Sequence, residues 1–524
     1  MSARKAVLRT VSAGPDKEDS AVDLTFPVQS VETKMHGPYK RGDRLLYEKP
    51  WIFVVSEKCR ERICNHCFES LHSSTGASLP CQPEILVRVS RTMKPGLRRC
   101  TGCAFSWYCG KDCQKTSWKF VHKHECQFFK KALETEETAI PLTVETVRLC
   151  LQAMIRMKND PDWDRPADGF PELSHRTFPN IMSHWKEIRE DQKELDFIDL
   201  MSSYFQKIWK GQDLYSDLIE PSVLGVIYGK VRINNMTIFG TYGDKLGVGL
   251  YLSASAIDHA CLPNACPSFS GIRINIHATE DVDCFDNVRL SYLDQTYFSR
   301  PRREMLRQRY YFDCFCRGCA DDRLDRKMNA VRCTKPSCKG HVLMDPYTFD
   351  SDPCSVCQEM PDDISKESIK RALQNGIEAQ ALVAEAKKSD EHRKVLHESE
   401  ELYLILRKVM HPTNTLLIST SLQVATSADI LGQYDKAFFH FMQLAIVYPQ
   451  VFSRWCFQYS EILMKCTTRG LLVQQSPLQH RNLLVHFIEA MKIVSTCAGR
   501  DSPTFAYYKK FYDDCRQVCS IDER

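Results

Sequence analysis

Several features that would assign this sequence to a class at once are missing from it. No run of about 18 apolar residues occurs, so no membrane-spanning helix is indicated. The opening stretch, MSARKAVLRTVSAGPDKEDSAVDL, mixes acids, Gly and Pro, where a secretory signal needs an apolar run of about 7–15 residues. We read residues 1–30 as a disordered N-terminal tail. Charge of one sign is not in excess either: 70 Lys and Arg face 66 Asp and Glu, a formal net charge of +4. That balance gives no global case for nucleic-acid or membrane binding. The short basic runs at Arg98-Arg99 and Arg300–Arg303 read as solvated surface. No hydrolytic triad and no phosphate-binding loop stands out.

Cysteine, by contrast, is abundant, with 25 residues. A chain of 524 residues, enough for three or four domains, buries ample apolar surface without disulfide staples. With no secretory signal, the expected compartments are the cytosol and nucleus, where thiols stay reduced. The cysteines are then metal ligands or buried thiols.

Their spacing separates the two groups. The first cluster is Cys64-x2-Cys67, Cys100-x2-Cys103-x5-Cys109-x3-Cys113 and His122-x3-Cys126, which is eight donors for two closed tetrahedral zinc sites. Interleaving assigns Cys64, Cys67, Cys109 and Cys113 to one ion and Cys100, Cys103, His122 and Cys126 to the other. His124 competes with His122, but residues 122 and 126 share a helical face at i, i+4. The second cluster, Cys314-x-Cys316-x2-Cys319, needs a fourth donor, and Cys261 offers one. The third, Cys333-x4-Cys338 and Cys354-x2-Cys357, has the form of a small zinc ribbon. The other ten cysteines, Cys59, Cys81, Cys150, Cys266, Cys284, Cys456, Cys466, Cys497, Cys515 and Cys519, show no ligand spacing.

Between the clusters, residues 128 to about 225 space apolar side chains at three and four, as amphipathic helices do. From about 220 to 292 short β-rich runs follow, among them VRINNMTIFGTY, GIRINIHAT and NVRLSY. From 361 the pattern is helical to the end, and Leu431–Pro449 resembles the second half of a tetratricopeptide unit.

The block RRCTGCAFSWYCGKDCQKTSWKFVHKHEC resembles a MYND zinc finger. GVGLYLSAS followed by His259, Cys261 and Pro263-Asn264 resembles the cofactor segment of SET domains, RLSYLD the second half of their knot, and YYFDCFCRGC their post-SET segment. The order is similar to that of the SMYD lysine methyltransferases. The resemblance implies an α+β multidomain architecture, with a β-rich SET fold split by the finger and a helical insertion. A cysteine-rich post-SET and ribbon segment and a helical, TPR-like C-terminal domain complete it. The boundaries expected are 31–62 for the first part of the SET fold and 63–127 for the finger, with an insert at 68–99. The helical insertion follows at 128–224, the SET core at 225–312, the cysteine-rich segment at 313–360 and the helical arm at 361–524.

The resemblance also implies an activity, S-adenosylmethionine-dependent methylation of lysines in histone or other proteins. It carries Tyr292 over as the catalytic tyrosine, Phe312 as the ring on the adenine and Tyr310 as a wall of the lysine channel. His259, Asn234, Ser255 and Asp258 come over as cofactor-binding positions. Three departures stand against it. No G-x-G element precedes Gly42, the family's Asn-His is Asp258-His259, and its Gly-Glu-Glu is Phe285-Asp286-Asn287. They point to an alternative, a zinc-stabilised scaffold that has kept the fold and lost most activity. Either protein is expected to be a monomer of the nucleus and cytoplasm, binding proline-rich peptides at the finger, with no specific nucleic-acid or membrane partner.

Overall fold

The computed structural model describes residues 37–68, 96–135, 142, 144–166, 176–211, 213–241, 243–293, 296–388, 391–474 and 476–521. The expected tail and nearly all of the expected insert lie outside the described residues.

Two three-stranded antiparallel sheets form the β-rich part. Strand β1 (Arg44–Glu48) and strand β2 (Ile52–Val55) follow each other closely yet enter different sheets. Pro50 lies between them and has no N–H for a ladder, so pairing breaks there. In the second sheet β2 pairs with β4 (Lys245–Leu250), which also pairs with β3 (Asn235–Phe239). In the first, β1 pairs with β6 (Arg273–Ala278), which pairs with β5 (Ala265–Ser270). Gly247 of β4 is obligatory, because a Cβ there would stand 2.2 Å from the carbonyl oxygen of Val54.

Helices fill the stretch between β2 and β3. The finger contributes α1 (Lys111–Ser117) and α2 (Lys123–Glu134). They are followed by α3 (Glu145–Asn159), α4 (Gln192–Ile208) and α5 (Pro221–Asn234). Every residue of α3 from Val147 to Ile155 is buried, so this helix is a core element packed on all sides. It also completes the edge of β2, where the Gln152 Oε1 accepts the Phe53 amide at 3.0 Å.

Two expectations need correction. The run VRIN reads as β-rich, but residues 231–234 end α5. Pro221 opens that helix, and the buried Leu224, Ile227, Tyr228 and Val231 keep helical spacing through to β3. The run NVRLSY is not a strand. Residues 285–287 form a 3-10 turn, and Leu290 makes only an isolated parallel bridge to His259. That bridge is tight nonetheless: Ala260 donates to Leu290 O at 2.9 Å and Leu290 to Asp258 O at 3.0 Å.

After α6 (Ser299–Tyr310) and a two-residue ladder, 331–332 with 341–342, the chain is helical. It runs through α7 (Asp363–Lys388), α8 (His392–Val409), α9 (Thr415–Ile430), α10 (Tyr434–Val447), α11 (Phe457–Val473), α12 (Pro477–Ala498) and α13 (Pro503–Ile521). Each packs against the next, and α12 also lies on β5 and β6. There Asp501 forms an ion pair with Arg44 of β1. A mixed α/β body with a helical C-terminal region is therefore what the chain adopts.

Inside the arm, Arg469 of α11 grips Asp429 of α9 through both nitrogens of one guanidinium edge, the Nη2 contact being 3.1 Å, and both side chains are buried. Removing one partner leaves a buried charge uncompensated. Asp429→Ala should therefore destabilise the chain by about 3–5 kcal/mol in urea unfolding, and Asp429→Leu with Arg469→Met by clearly less. An unchanged unfolding midpoint for the single variant contradicts this account of the pair.

Candidate functional site

Four groups of four metal-ligating atoms assemble, each with its atoms within 4.8 Å of one another. They are Cys64, Cys67, Cys109 and Cys113; Cys100, Cys103, His122 and Cys126; Cys261, Cys314, Cys316 and Cys319; and Cys333, Cys338, Cys354 and Cys357. These are the sets expected from spacing, and His124 joins none of them. Sulfur separations run 3.7 Å for Cys67–Cys109, 3.9 Å for Cys100–Cys126, 3.4 Å for Cys261–Cys319 and 3.6 Å for Cys333–Cys357. A zinc tetrahedron with Zn–S bonds of about 2.3 Å has edges of about 3.8 Å, so the donor sets fit zinc. None of the cysteines in these groups is in a disulfide, as the groupings require.

The second site has a supporting shell that spacing did not reveal. A π-helical turn at Trp118–His122 joins α1 to α2 and aims the His122 Nε2 at Cys100 and Cys103, at 3.4 and 3.8 Å. Its other nitrogen faces Glu125 at 3.6 Å, and Glu125 accepts from Gln152 Nε2 at 2.8 Å. A carboxylate behind a ligating histidine fixes the ring and raises its basicity. Since Gln152 also caps Phe53 of β2, one chain of polar contacts links the finger to the second sheet.

The third site underlies a cluster of aromatic rings. His259 is buried, and burial lowers its pKa to about 4, so the ring is neutral. Its Nδ1 accepts the Tyr292 amide at 3.0 Å. The proton is then on Nε2, which lies 3.2 Å from Cys261 Sγ and donates to it. The rings of Tyr292 and Phe312 lie 5.2 and 6.1 Å from His259, and Tyr310 lies 5.0 Å from Tyr292. Tyr292 donates its hydroxyl to Ile257 O at 2.6 Å, and burial pushes its pKa above the ordinary phenol range. Arg302 belongs here too, which corrects the reading of the basic run at 300–303 as solvated surface. It is 3% exposed, donates to Gly318 O at 3.0 Å and sets a positive charge beside Cys261 and Cys319. The thiolate cluster supplies the counter-charge that makes its burial affordable.

The remaining candidates are Ser255, Asp258 and Asn234. Ser255 donates to Leu252 O at 2.7 Å and accepts from Arg176 Nη2 at 3.1 Å. Asp258 is exposed. Asn234, at the end of α5, spends its amide N–H groups on Met182 O at 2.9 Å and Lys230 O at 2.8 Å. Two further residues were not anticipated, Arg176 and Glu48. Glu48 is buried and accepts the amides of Ser253 and Ala254 at 2.9 and 3.0 Å, holding the loop that carries Ser255, and burial pushes its pKa up to about 7.

A family model of the MYND finger matches residues 89–126. The chain is also 26% identical over 294 residues to histone-lysine N-methyltransferase SMYD3 of Homo sapiens, covering 56% of this chain and 59% of that protein. It is 25% identical over 339 residues to histone-lysine N-methyltransferase ASHR1 of Arabidopsis thaliana, covering 64% and 62%. With N-lysine methyltransferase SMYD2 of Homo sapiens it shares 24% over 308 residues, covering 59% and 62%. The chain is thus similar to these SMYD proteins and carries a segment that matches the MYND finger. The matches span about six tenths of the length of these SMYD relatives.

Metal analysis of the purified chain should return four zinc ions, one for each group, and Cys338→Ser should lower that to three. A content of two or fewer in the unaltered chain contradicts the assignment.

Proposed function

We propose that the chain is an S-adenosylmethionine-dependent protein-lysine N-methyltransferase. The observation that carries this reading is the aromatic cluster of His259, Tyr292, Tyr310 and Phe312 packed on the third cysteine group. The residues present suit the cofactor: flat rings for the adenine, acceptors at Asp258 and Asn234 for the ammonium, and a buried, unpartnered Arg176 Nε nearby. Phe312 and the backbone at His259 would hold the adenine, and Asn234, Ser255 and Asp258 the amino-acid end. The cofactor supplies an already activated methyl group, so the protein needs positioning and electrostatics more than acid–base chemistry.

Lysine titrates near 10.4, so it arrives as an ammonium and must lose its proton to water before the free amine attacks the methyl group. Tyr310 and Tyr292 offer electron-rich walls that accept an ammonium or methylammonium and exclude water. The Tyr292 hydroxyl, anchored on Ile257 O and kept protonated by burial, presents its oxygen lone pairs to the reacting centre. It acts as a fixed dipole and takes up no proton.

The sheets with α3–α5 are then a SET fold split by the finger, and α7–α13 an arm of tetratricopeptide-style hairpins. Under the same proposal the substrates are lysines of histone or other proteins, and the finger recruits proline-rich peptides. The protein works as a monomer in nucleus and cytoplasm.

Calorimetric titration should detect S-adenosylmethionine binding, and no signal at millimolar cofactor overturns the proposal. Tyr292→Phe should lower turnover by more than about tenfold, beyond 1.4 kcal/mol of transition-state stabilisation, with cofactor affinity nearly unchanged. Unaltered turnover in that variant removes Tyr292 from the catalytic role.

A further inference from the structure

The amino-acid end of the cofactor is a zwitterion, and its two charges need opposite partners. The residues assigned to that end are well supplied with acceptors. Asp258 presents an exposed carboxylate, and Asn234, with both N–H groups spent on Met182 O and Lys230 O, has only its oxygen left to offer. Donors are scarce. Ser255 gives its only proton to Leu252 O, so its hydroxyl is an acceptor toward everything else, including Arg176. None of the three side chains assigned to this end can donate to a carboxylate.

Arg176 has what they lack. Its Nη2 reaches Ser255 Oγ at 3.1 Å, which places the guanidinium beside a residue assigned to this end. Its Nε is buried without a hydrogen-bond partner. Glu48, Asp258 and Tyr292 lie within electrostatic reach of the guanidinium. No carboxylate among the described residues nevertheless comes within ion-pair distance of it. A half-buried guanidinium with an unspent N–H and no paired acid is an incomplete site, because leaving it so forfeits a charge-assisted bond.

We infer that Arg176 is the receptor for the α-carboxylate of the cofactor, paired with Asp258 as the acceptor for its ammonium. The inference rests on the proposed use of S-adenosylmethionine and deepens it. It also accounts for the aspartate in place of the family's asparagine. The carboxylate at 258 is tolerated because Arg176 supplies the compensating charge, and the two form a clamp that is neutral in sum, like the zwitterion it grips. Glu48 has a separate task, since its carboxylate accepts the backbone amides of the Ser253–Ala254 turn.

The test compares two ligands by calorimetry on the full zinc-loaded chain: S-adenosylmethionine and its decarboxylated form, which lacks only the α-carboxylate. Arg176→Gln should weaken S-adenosylmethionine by about 10- to 100-fold, the size of a lost charge-assisted bond, while changing the decarboxylated ligand by less than about twofold. Arg176→Lys, which keeps the charge without the fork, should fall between unaltered and Gln chains and guards against a folding defect in the latter. Equal weakening of both ligands, or undiminished affinity for S-adenosylmethionine, overturns the inference and leaves the methyltransferase reading intact. Failure of the unaltered chain to bind S-adenosylmethionine overturns both.

Discussion

Sixteen side chains are drawn into four groups whose sulfur and nitrogen atoms stand at the edge lengths of a metal tetrahedron, and most of the fold hangs on them. Fifteen of the sixteen are cysteines, which as thiolates repel one another at such distances unless a cation sits between them. With a divalent ion the same contacts become folding free energy, since the unfolded chain has no preformed site. Each group ties segments that lie apart in sequence. The first two close the finger, the third joins the loop at Cys261 to the segment after α6, and the fourth joins both halves of the ribbon against the helical arm.

The ligands do more than hold metal, because their neighbours carry the constraint outward. His122 passes through Glu125 and Gln152 to the Phe53 amide, so the finger is fastened to the edge of the second sheet by polar contacts as well as by packing. Cys261 passes through His259 to the Tyr292 backbone. Buried Arg302 offsets the charge of that third group and keeps α6 against it. The aromatic cluster is thus packed on the third cysteine group. Rigid placement of this kind is what a reaction driven by positioning needs.

Much of this was legible in the sequence, for definite reasons. Ligand spacing is local, so all sixteen donors could be read, and the i, i+4 relation of His122 and Cys126 separated His122 from His124. Helical periodicity located α3, α4 and the arm. It failed at VRIN because β-branched Val231 and Ile233 mimic a strand, while the anchors that extend α5, from Leu224 to Val231, lie upstream of the run. It failed at NVRLSY because that segment is held by a single bridge in a crossing of two loops, which has no period. Supporting residues were the least legible. Glu125 had a readable signal, a carboxylate three residues after a ligating histidine. Arg302 looked like its neighbours, exposed Arg300 and half-buried Arg303, and nothing local marks it as buried. Arg176 and Glu48 reach Ser255 and Ser253 from elements about 80 and 200 residues away, which no spacing rule detects.

The central claim is that the third metal site organises the aromatic cluster. The most direct test is cofactor titration of Cys316→Ser beside Cys338→Ser, with the zinc content of each. Both variants should hold three ions, with S-adenosylmethionine binding lost in Cys316→Ser and kept in Cys338→Ser. Undiminished binding by a three-zinc Cys316→Ser chain would contradict the account.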